Sequence, residues 1–316
     1  MLSIALIHAT IVSSLLHGSI DIGYRASYYP VATQVDTVFE WRLHSSAQPE
    51  IQALAPRAKD LDRGPELNAR TAVVIDEASG AVLWQLNPDH IQAIASTTKL
   101  MTALVWLEHQ PDGGFFAQHT FDENDDAPEG KELDLPMGET MTIYNIWRST
   151  LVGSDNDTAL ALAHSSTLSH EQFVAAMNQK ARSMGVARTR FVDPTGLSAL
   201  NVSSAEDLAR IARAAFSRSE VVEATTMTEH IQETVDTKFR TTVHTTNTLL
   251  FDREITVTAG KTGFIDEAGY CVVERIQVPG TQRNIIVVIL GTETEADRFS
   301  EAKKLAQWAF THFVWK

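Results

Sequence analysis

The sequence predicts an α+β fold in which one antiparallel sheet takes strands from both ends of the folded chain. Two strand-like runs, Thr71 to Asp76 and Ala81 to Leu86, flank a turn that ends in Gly80, which is the pattern of a β-hairpin. Three further strand patterns lie beyond Glu254, and helical patterns occupy the chain between the two sets and at its end. Strands at both ends of a helical block indicate an antiparallel sheet packed against a helical cluster.

The late strands and the closing helix follow from changes in hydrophobic period. The runs EITVTAGKTG, AGYCVVERI and NIIVVILGT have strand character, and Pro279-Gly280 supplies a turn between the last two. From about Ala296 the apolar residues recur at helical spacing up to Phe313. This pattern predicts a final helix with one buried face.

The helical block contains one segment that is apolar on almost every side. Ser96 to His109 therefore predicts a helix buried on most of its surface. Capping-box patterns at Ser169–Gln172 and Ser203–Glu206 predict the starts of two further helices. Another helix is predicted over Thr142 to Val152, with Gly153 at its C-terminal end.

Length and composition indicate a globular protein and exclude some partners. The chain has 316 residues, of which 44% are hydrophobic, so it can bury a sizeable core. Its 26 Lys and Arg against 40 Asp and Glu give a formal charge of −14. No basic run could follow a phosphate backbone, so we expect no nucleic-acid partner, and the acidic balance is typical of a solvated surface.

The N-terminal region divides into two segments before the folded unit. Residues 1–18 contain an apolar run without charge, which predicts a signal peptide or an N-terminal anchor, although no basic residue precedes it. A misplaced start or a buried helix is the alternative. Residues 19–67 lack a sustained period and carry four prolines, so we expect an extended leader, with one catalytic domain over residues 68–316.

Neither cysteine nor histidine indicates a metal or a disulfide. The single cysteine, Cys271, lies in an apolar strand pattern and is expected to be a buried small side chain. His109, His164, His170 and His244 have no metal-ligand spacing, so we interpret them as isolated histidines. We expect no metal and no organic cofactor.

Three short motifs carry the candidate chemistry: Ser96-Thr-Thr-Lys99, Ser154-Asp-Asn156 and Lys261-Thr-Gly263. Each alone has an ordinary explanation, since the first can be a helix cap followed by a surface lysine and the second a simple turn. Ser96 and Lys99, however, lie three residues apart at the start of a buried helix, so their side chains share one face. That spacing allows a lysine to take the proton of a serine.

A serine becomes a good nucleophile only when a base is positioned on it. An ordinary lysine is protonated at neutral pH, so Lys99 would need a lowered pKa. Burial in the apolar helix and the positive charge of Lys261 are two causes that would lower it. The sequence therefore predicts that Lys99 is largely neutral in the free protein.

The other two motifs predict a substrate-binding cleft. Ser154 and Asn156 are expected on a loop, with Ser154 as a proton relay and Asn156 as a hydrogen-bond partner of a substrate amide. Gly263 within a strand indicates that another backbone approaches closely, and a docked peptide is one such backbone. Thr262 and Lys261 are expected to bind its carboxylate.

These motifs in this order are the signature of penicillin-binding proteins and class A β-lactamases. From about Ala69 to Trp315 the chain resembles the low-molecular-mass D-alanyl-D-alanine carboxypeptidases, peptidase family S11. Further stretches carry the resemblance: VVIDEASGAVLWQLN, RFVDPTGLS, KTGFIDEAGYC and EAKKLAQW. The Glu-x-x-Leu-Asn stretch that supplies the deacylating glutamate of class A β-lactamases is not evident between Asn156 and Lys261.

The resemblance implies the serine β-lactamase/D,D-peptidase fold and an acyl-enzyme on Ser96. It also implies that the backbone N–H groups of Ser96 and Phe264 bind the oxyanion, and that Arg298 lies near the terminal carboxylate of the substrate. The alternative for Arg298 is an exposed residue in the first turn of the last helix. Peptidoglycan stem peptides would be the substrate, β-lactam antibiotics would be covalent inhibitors, and the protein would be exported to the periplasm or cell envelope.

Four functions remain open from the sequence. A D-Ala-D-Ala carboxypeptidase is the first, and a D,D-endopeptidase that cleaves peptidoglycan cross-links is the second, because the stretches FVDPTGLSALNVS and KTGF also resemble the shorter endopeptidases of the family. The third is a serine β-lactamase, and the fourth is a cell-wall-binding relative without catalysis.

Overall fold

The computed structural model describes residues 14–15, 18–19, 53–130 and 137–315. Its main feature is a five-stranded antiparallel sheet with the strand order β3-β4-β5-β1-β2. The strands are β1 (Thr71–Asp76), β2 (Val82–Leu86), β3 (Thr256–Ile265), β4 (Gly269–Gln277) and β5 (Asn284–Thr292). The predicted antiparallel sheet with strands from both chain ends is therefore confirmed.

Seven α-helices occupy the described part of the chain. They are α1 (Lys99–Glu108), α2 (Ile143–Arg148), α3 (Asn156–His164), α4 (His170–Ser183), α5 (Ala205–Phe216), α6 (Ser219–Thr225) and α7 (Glu295–His312). Short strand pairs join Gln92–Ala93 to Val202–Ser203, Gln118–Thr120 to Thr140–Thr142, Glu229–Glu233 to Arg240–His244, Arg57–Ala58 to Phe313–Val314, and Ser14–Leu15 to Gly18–Ser19.

The sheet is buried on both faces because its side chains alternate between two apolar clusters. In β1, Val73 and Ile75 point into a large core shared with α1 to α6, whereas Ala72 and Val74 pack with α7. Helix α1 is buried along nearly its whole length, as its composition predicted. Its first turn is consequently held by the protein core.

The helix ends show where local signals succeed and where they fail. Ser169 forms the predicted capping box with Gln172. The second cap is one residue later than predicted: Ser204 accepts the N–H of Asp207, because Ser203 belongs to the short strand paired with Gln92. Past Arg148 the helix widens into a π-turn over Ser149–Gly153, so the helical segment ends at Gly153 as predicted, but its last turn has π geometry instead of α geometry.

The folded unit begins earlier than the sequence predicted. The chain divides into two compact units, Met1–Gln52 and Ala53–Lys316, so residues 53–67, expected to be leader, belong to the larger one. Two tryptophans hold this segment by hydrogen bonds. The indole N–H of Trp84 donates to the Arg63 carbonyl at 2.9 Å, and that of Trp308 donates to Asp62 Oδ1 at 2.7 Å. The predicted signal or anchor over residues 1–18 lies outside the described residues, apart from the two-residue strands. Among the residues described, no helix is long and apolar enough to cross a bilayer.

Glu301 of α7 offers a test of how this segment is held. Its buried carboxylate accepts the backbone N–H groups of Asn68 and Ala69. We expect Glu301→Ala to lower the free energy of unfolding by about 2 kcal/mol, because two backbone donors, of which that of Ala69 is buried, lose a charged acceptor. Urea denaturation measures this change, with the exposed Ser300→Ala on the same helix as control. Equal stabilities of the two variants would contradict the expectation.

Candidate active site

The candidate nucleophile lies in a tight turn at the entrance to α1. Ser96 belongs to a single 3₁₀ turn, Ala95–Thr98, that runs directly into the helix, and Ala95 takes the left-handed conformation with φ 47°. A Cβ at Gly196 would lie 2.1 Å from the Ala95 carbonyl oxygen, and one at Gly263 would lie 3.0 Å from the Ser96 nitrogen. Both glycines therefore let the chain close on the Ser96 turn. The sequence predicted that another backbone approaches Gly263 closely. The Ser96 turn of the same chain is one such backbone.

Lys99 is completely buried and makes three polar contacts. Its Nζ lies 2.9 Å from Ser96 Oγ, 2.5 Å from Asn156 Oδ1 and 2.8 Å from the Thr195 carbonyl oxygen. Burial lowers the pKa of Lys99 to about 7, against the opposing effect of Asp155 and Asp193. Burial is thus the cause of a lowered pKa, as predicted.

The three contacts fix the direction of the lone pair on the neutral amine. A neutral amine has two N–H groups and one lone pair, and the amide oxygen of Asn156 and the carbonyl of Thr195 can only accept hydrogen bonds. Both N–H groups of Lys99 are therefore used on these acceptors. The lone pair is left facing Ser96 Oγ, which is the orientation a general base requires.

Lys261, the second basic residue of the motifs, is buried close to Lys99. Lys261 is buried, and its Nζ donates to Ser154 Oγ at 2.7 Å and to the Thr262 carbonyl at 3.0 Å. Burial and then the charges of Lys99 and Arg298 hold the pKa of Lys261 well below its usual range. Burial is therefore the main cause of the lowered pKa at both lysines, and the charge of Lys99 adds to it at Lys261.

The Ser154 motif spans a junction between two helices. Ser154 has φ 64° after the π-turn, Asp155 caps α3 by accepting the Thr158 N–H at 2.7 Å, and Asn156 is the first residue of that helix. The prediction that Asn156 lies on a loop is wrong. Its side chain is also engaged by the protein itself, since Oδ1 accepts from Lys99 and Nδ2 donates to the Glu129 carbonyl at 2.9 Å.

The strand β3 forms the opposite wall. The hydroxyl of Thr262 is hydrogen-bonded to that of Thr246, and Arg298 donates to the Gly263 carbonyl at 3.3 Å. Arg298 is only 4% exposed, so it is not the exposed arginine that the sequence left as an alternative. Phe264 is half-exposed and stacks on Tyr270 with ring centroids 4.2 Å apart.

These walls enclose a cleft of about 920 Å³. It brings together all the predicted site residues that reach its surface: Ser96, Ser154, Asn156, Thr262, Gly263, Phe264 and Arg298. Lys99 and Lys261 lie behind them and contact the two serine hydroxyls. The remaining lining includes four acidic side chains near the rim, Glu129, Asp266, Glu267 and Glu295.

Comparison with known proteins agrees with this geometry. Residues 58–294 match the family model described as Peptidase_S11, D-alanyl-D-alanine carboxypeptidase. The chain belongs to the S11 peptidase family. It is 32% identical to a D-alanyl-D-alanine endopeptidase of Pseudomonas aeruginosa, over 85% of this chain and 86% of the relative. It is 31% identical to the D-alanyl-D-alanine carboxypeptidase DacF of Bacillus subtilis, over 78% of this chain and 63% of the relative.

A solved structure extends the match to three dimensions. Penicillin-binding protein D2 of Listeria monocytogenes, in its cefotaxime-bound form, superposes with a TM-score of 0.68 and 27% identity. The match covers 79% of this chain and the whole of that structure. The fold of this S11 peptidase is therefore the serine β-lactamase/D,D-peptidase fold.

Sequence reasoning missed the loop that supplies the third partner of Lys99. Asp193 orders this loop: one carboxylate oxygen accepts the N–H groups of Thr195 and Gly196, both at 2.7 Å, and the other accepts from Ser198 N–H at 3.1 Å. The Thr195 carbonyl is thereby directed at Lys99. The available signal was the Asp-Pro-Thr-Gly stretch, whose residue types favour a tight turn held by the aspartate side chain.

The histidines also differ from the prediction. His164 is not isolated, because it lies 2.7 Å from Asp125 and 3.1 Å from His170. His119 contacts the other oxygen of Asp125 at 2.7 Å, and hydrogen bonds from the two histidines lower the pKa of this carboxyl to about 2 despite its burial. Within the described ranges, no group of three or more histidine, cysteine and acidic side chains is arranged to hold a metal ion.

The lowered pKa of Lys99 predicts how acylation depends on pH. Only the neutral amine accepts a proton, so the rate should rise with pH and reach half its maximum near pH 7. Two pH units below that, at pH 5, acylation by a penicillin should be about a hundredfold slower than at the plateau. Thermal melts over the same range control for unfolding. A half-point near pH 10 would refute the prediction.

Asp193 gives a second prediction for this S11 peptidase. Asp193→Ala should slow acylation of Ser96 at least about tenfold, since a misplaced base loses the geometry that the rate depends on. The free energy of unfolding should fall by about 2 kcal/mol as several N–H groups lose a charged acceptor. Asp89→Ala, which removes an exposed ion pair with Arg188, is the matched control and should leave both quantities unchanged.

Proposed function

We propose that this S11 peptidase is a serine-type D-Ala-D-Ala carboxypeptidase that acts on peptidoglycan stem peptides through an acyl-enzyme on Ser96. One observation supports it above all others: the Nζ of a completely buried Lys99 lies 2.9 Å from Ser96 Oγ. The family and its named relatives supply the class of reaction. The roles of the individual residues are part of the proposal.

Acylation begins when Ser96 Oγ attacks the carbonyl carbon of the penultimate D-Ala and Lys99 Nζ takes its proton. The resulting oxyanion is bound by the backbone N–H groups of Ser96 and Phe264, and each such donor is worth about 3 kcal/mol of transition-state stabilisation. The terminal D-Ala leaves as its nitrogen gains a proton from Ser154 Oγ, which Lys261 Nζ contacts at 2.7 Å. Ser154 acts as a relay, because the proton that Lys99 took from Ser96 replaces the one it gives away, and Lys99 is neutral again. Water then hydrolyses the ester, with Lys99 again as base.

The substrate carboxylate binds on the β3 side of the cleft. Thr262 offers a hydroxyl, and Lys261 and Arg298 are buried cations close behind the wall, so a carboxylate there gains both a hydrogen bond and charge. Asn156 holds Lys99 and the Glu129 carbonyl in place, and because its side chain lines the cleft, a hydrogen bond to a substrate amide stays part of the proposal.

A D,D-endopeptidase is the second candidate. It is favoured by the similarity to relatives named as endopeptidases, at 32% identity for that of Pseudomonas aeruginosa and 34% for that of Haemophilus influenzae. Both reactions use the same acyl-enzyme. They differ in the leaving amine, which is a single D-Ala in one case and the side-chain amine of a second stem peptide in the other.

The same chemistry determines the other partners that we propose. A β-lactam acylates Ser96 and remains attached, consistent with the cefotaxime-bound relative. The protein is exported to the periplasm or cell envelope, where its substrate lies, and any membrane contact is through the N-terminal segment. It needs no metal or organic cofactor and has no nucleic-acid partner.

Labelling with a fluorescent penicillin tests the acyl-enzyme. The wild type should form an adduct that lasts for many minutes, and Ser96→Ala should form none. Ser198→Ala, a serine on the same cleft surface, is the control and should label normally. Release of the label within seconds would indicate a β-lactamase, and no label on a folded wild type would indicate a binding protein.

Digestion of purified muropeptides decides between the two peptidase activities. Mass spectrometry should show pentapeptides losing one D-Ala, with cross-linked dimers unchanged. Conversion of dimers to monomers without loss of D-Ala from pentapeptides would establish the endopeptidase instead. Ser96→Ala provides the blank for both reactions.

A further inference from the structure

A buried carboxyl group lies beside the substrate-binding strand and takes no part in the proposed mechanism. Glu274 of β4 is 0% exposed and pairs across the ladder with Gly260 of β3. Its Oε2 accepts from Asn247 Nδ2 at 3.1 Å, while its Oε1 has no hydrogen-bond partner in the described part of the chain. Because an unpaired buried polar atom costs folding free energy, stability does not explain an acid at this position.

Gly260 is what allows the carboxyl group to fit. A Cβ on Gly260 would lie 2.2 Å from Glu274 Oε2 and 2.6 Å from Asn247 Nδ2. Because Gly260 has no side chain, the carboxyl group of Glu274 and the side-chain amide of Asn247 can meet over the backbone of β3. Successive side chains of a strand point to opposite faces. The contact at Gly260 therefore lies on the same face of β3 as the Thr262 side chain, and the Lys261 side chain points to the other face.

Asn247 connects the buried carboxyl group to the cleft. Its backbone N–H donates to Thr245 Oγ1 at 3.1 Å, and its Oδ1 accepts the Leu249 N–H at 3.1 Å, so both ends of the residue are fixed. The residue before it, Thr246, carries the hydroxyl that is bonded to Thr262. Thr245, Thr246 and Thr262 all line the cleft.

We propose that Glu274 is a positioning residue which, through Asn247, holds the hydroxyls of Thr246 and Thr262 in place for the carboxylate of the substrate. This inference rests on the proposed function, in which Thr262 binds that carboxylate. It adds Thr246 as a second hydroxyl of the same subsite. It also explains why a strand that faces the substrate carries a glycine one residue before Lys261.

The charge state of Glu274 suits this role. Burial raises the pKa of Glu274 to about 8, even though the charged groups that act on it, Lys261 of β3 and Arg298 of α7, both favour ionisation. The carboxyl group is therefore neutral at pH 7, and no buried anion repels the incoming carboxylate. A glutamate here supplies an acceptor for Asn247 without adding a negative charge to the subsite.

Steady-state hydrolysis of a synthetic peptide ending in D-Ala-D-Ala tests the proposal. Glu274→Met keeps the length of the side chain but removes the acceptor, and we expect KM to rise about tenfold with kcat within about twofold, since only binding is lost. Glu274→Gln retains an oxygen that accepts from Asn247, so both constants should stay within about threefold of the wild type. Glu274→Met exchanges one unpaired buried polar atom, Glu274 Oε1, for another, Asn247 Nδ2, so its melting temperature should stay close to that of the wild type.

A double-mutant cycle tests the connection between the two residues. Thr246→Val should raise KM by itself, and combining it with Glu274→Met should raise KM no further than the larger single effect. Asn247→Ala breaks the same hydrogen bond from its other end and should reproduce the rise. An unchanged KM in both Glu274→Met and Asn247→Ala, additive effects in the cycle, or a loss of kcat without a rise in KM would overturn the proposal.

Penicillin labelling of each variant separates this result from a failure of the proposed function. If the wild type does not label, the acyl-enzyme itself is refuted. If the wild type and the Glu274 variants label and hydrolyse peptide with the same KM, only the role of Glu274 is refuted.

Discussion

The burial of one amine constrains the rest of this site. Lys99 has no exposed surface, and a charged amine in such a place is unfavourable unless its surroundings compensate. The surroundings compensate only in part, so the pKa falls to about 7 and a neutral base becomes available. Its two donors are used on Asn156 and Thr195, which leaves the lone pair for Ser96. The burial that makes a charged Lys99 unfavourable is therefore also what makes Lys99 available as a neutral base.

The three partners of Lys99 come from three separate segments, and this explains much of the local backbone. The Ser96 turn, the start of α3 and the Asp193 loop must all approach one nitrogen atom. Gly196 and Gly263 permit that approach because any side chain on them would meet the Ser96 turn. The polar network of Asp193 then holds its loop without help from regular secondary structure.

Charge is distributed unevenly between the chain as a whole and its cleft. The protein carries a formal charge of −14, and acidic side chains line the cleft near its rim. The ionisable side chains buried behind the walls are instead mainly basic: Lys99, Lys261 and Arg298, while Glu274 stays neutral through burial. In the proposed function, the anionic end of the substrate meets these buried basic groups in a protein whose overall charge is negative. Local contacts in the cleft would then select the substrate more than long-range attraction does.

The fold class and the three motifs could be predicted from sequence because their signals are local. Only neighbours within a few residues decide the alternation of the strands, the apolar composition of α1 on all its sides and the cap at Ser169. The errors concern features that distant contacts decide. Residues 53–67 join the folded unit through Trp84 and Trp308, and Ser203 pairs with Gln92, so Ser204 caps the helix instead.

The sequence by itself therefore indicated the proposed nucleophile, its proposed base and the sheet whose edge strand lines the cleft. Only the tertiary structure decided what surrounds them. Asn156 and Thr195 reach Lys99 across 57 and 96 residues of chain, and Glu274 meets Asn247 across 27. A pKa depends on burial and on every nearby charge, and these are properties of the packed chain that no local pattern of residues contains.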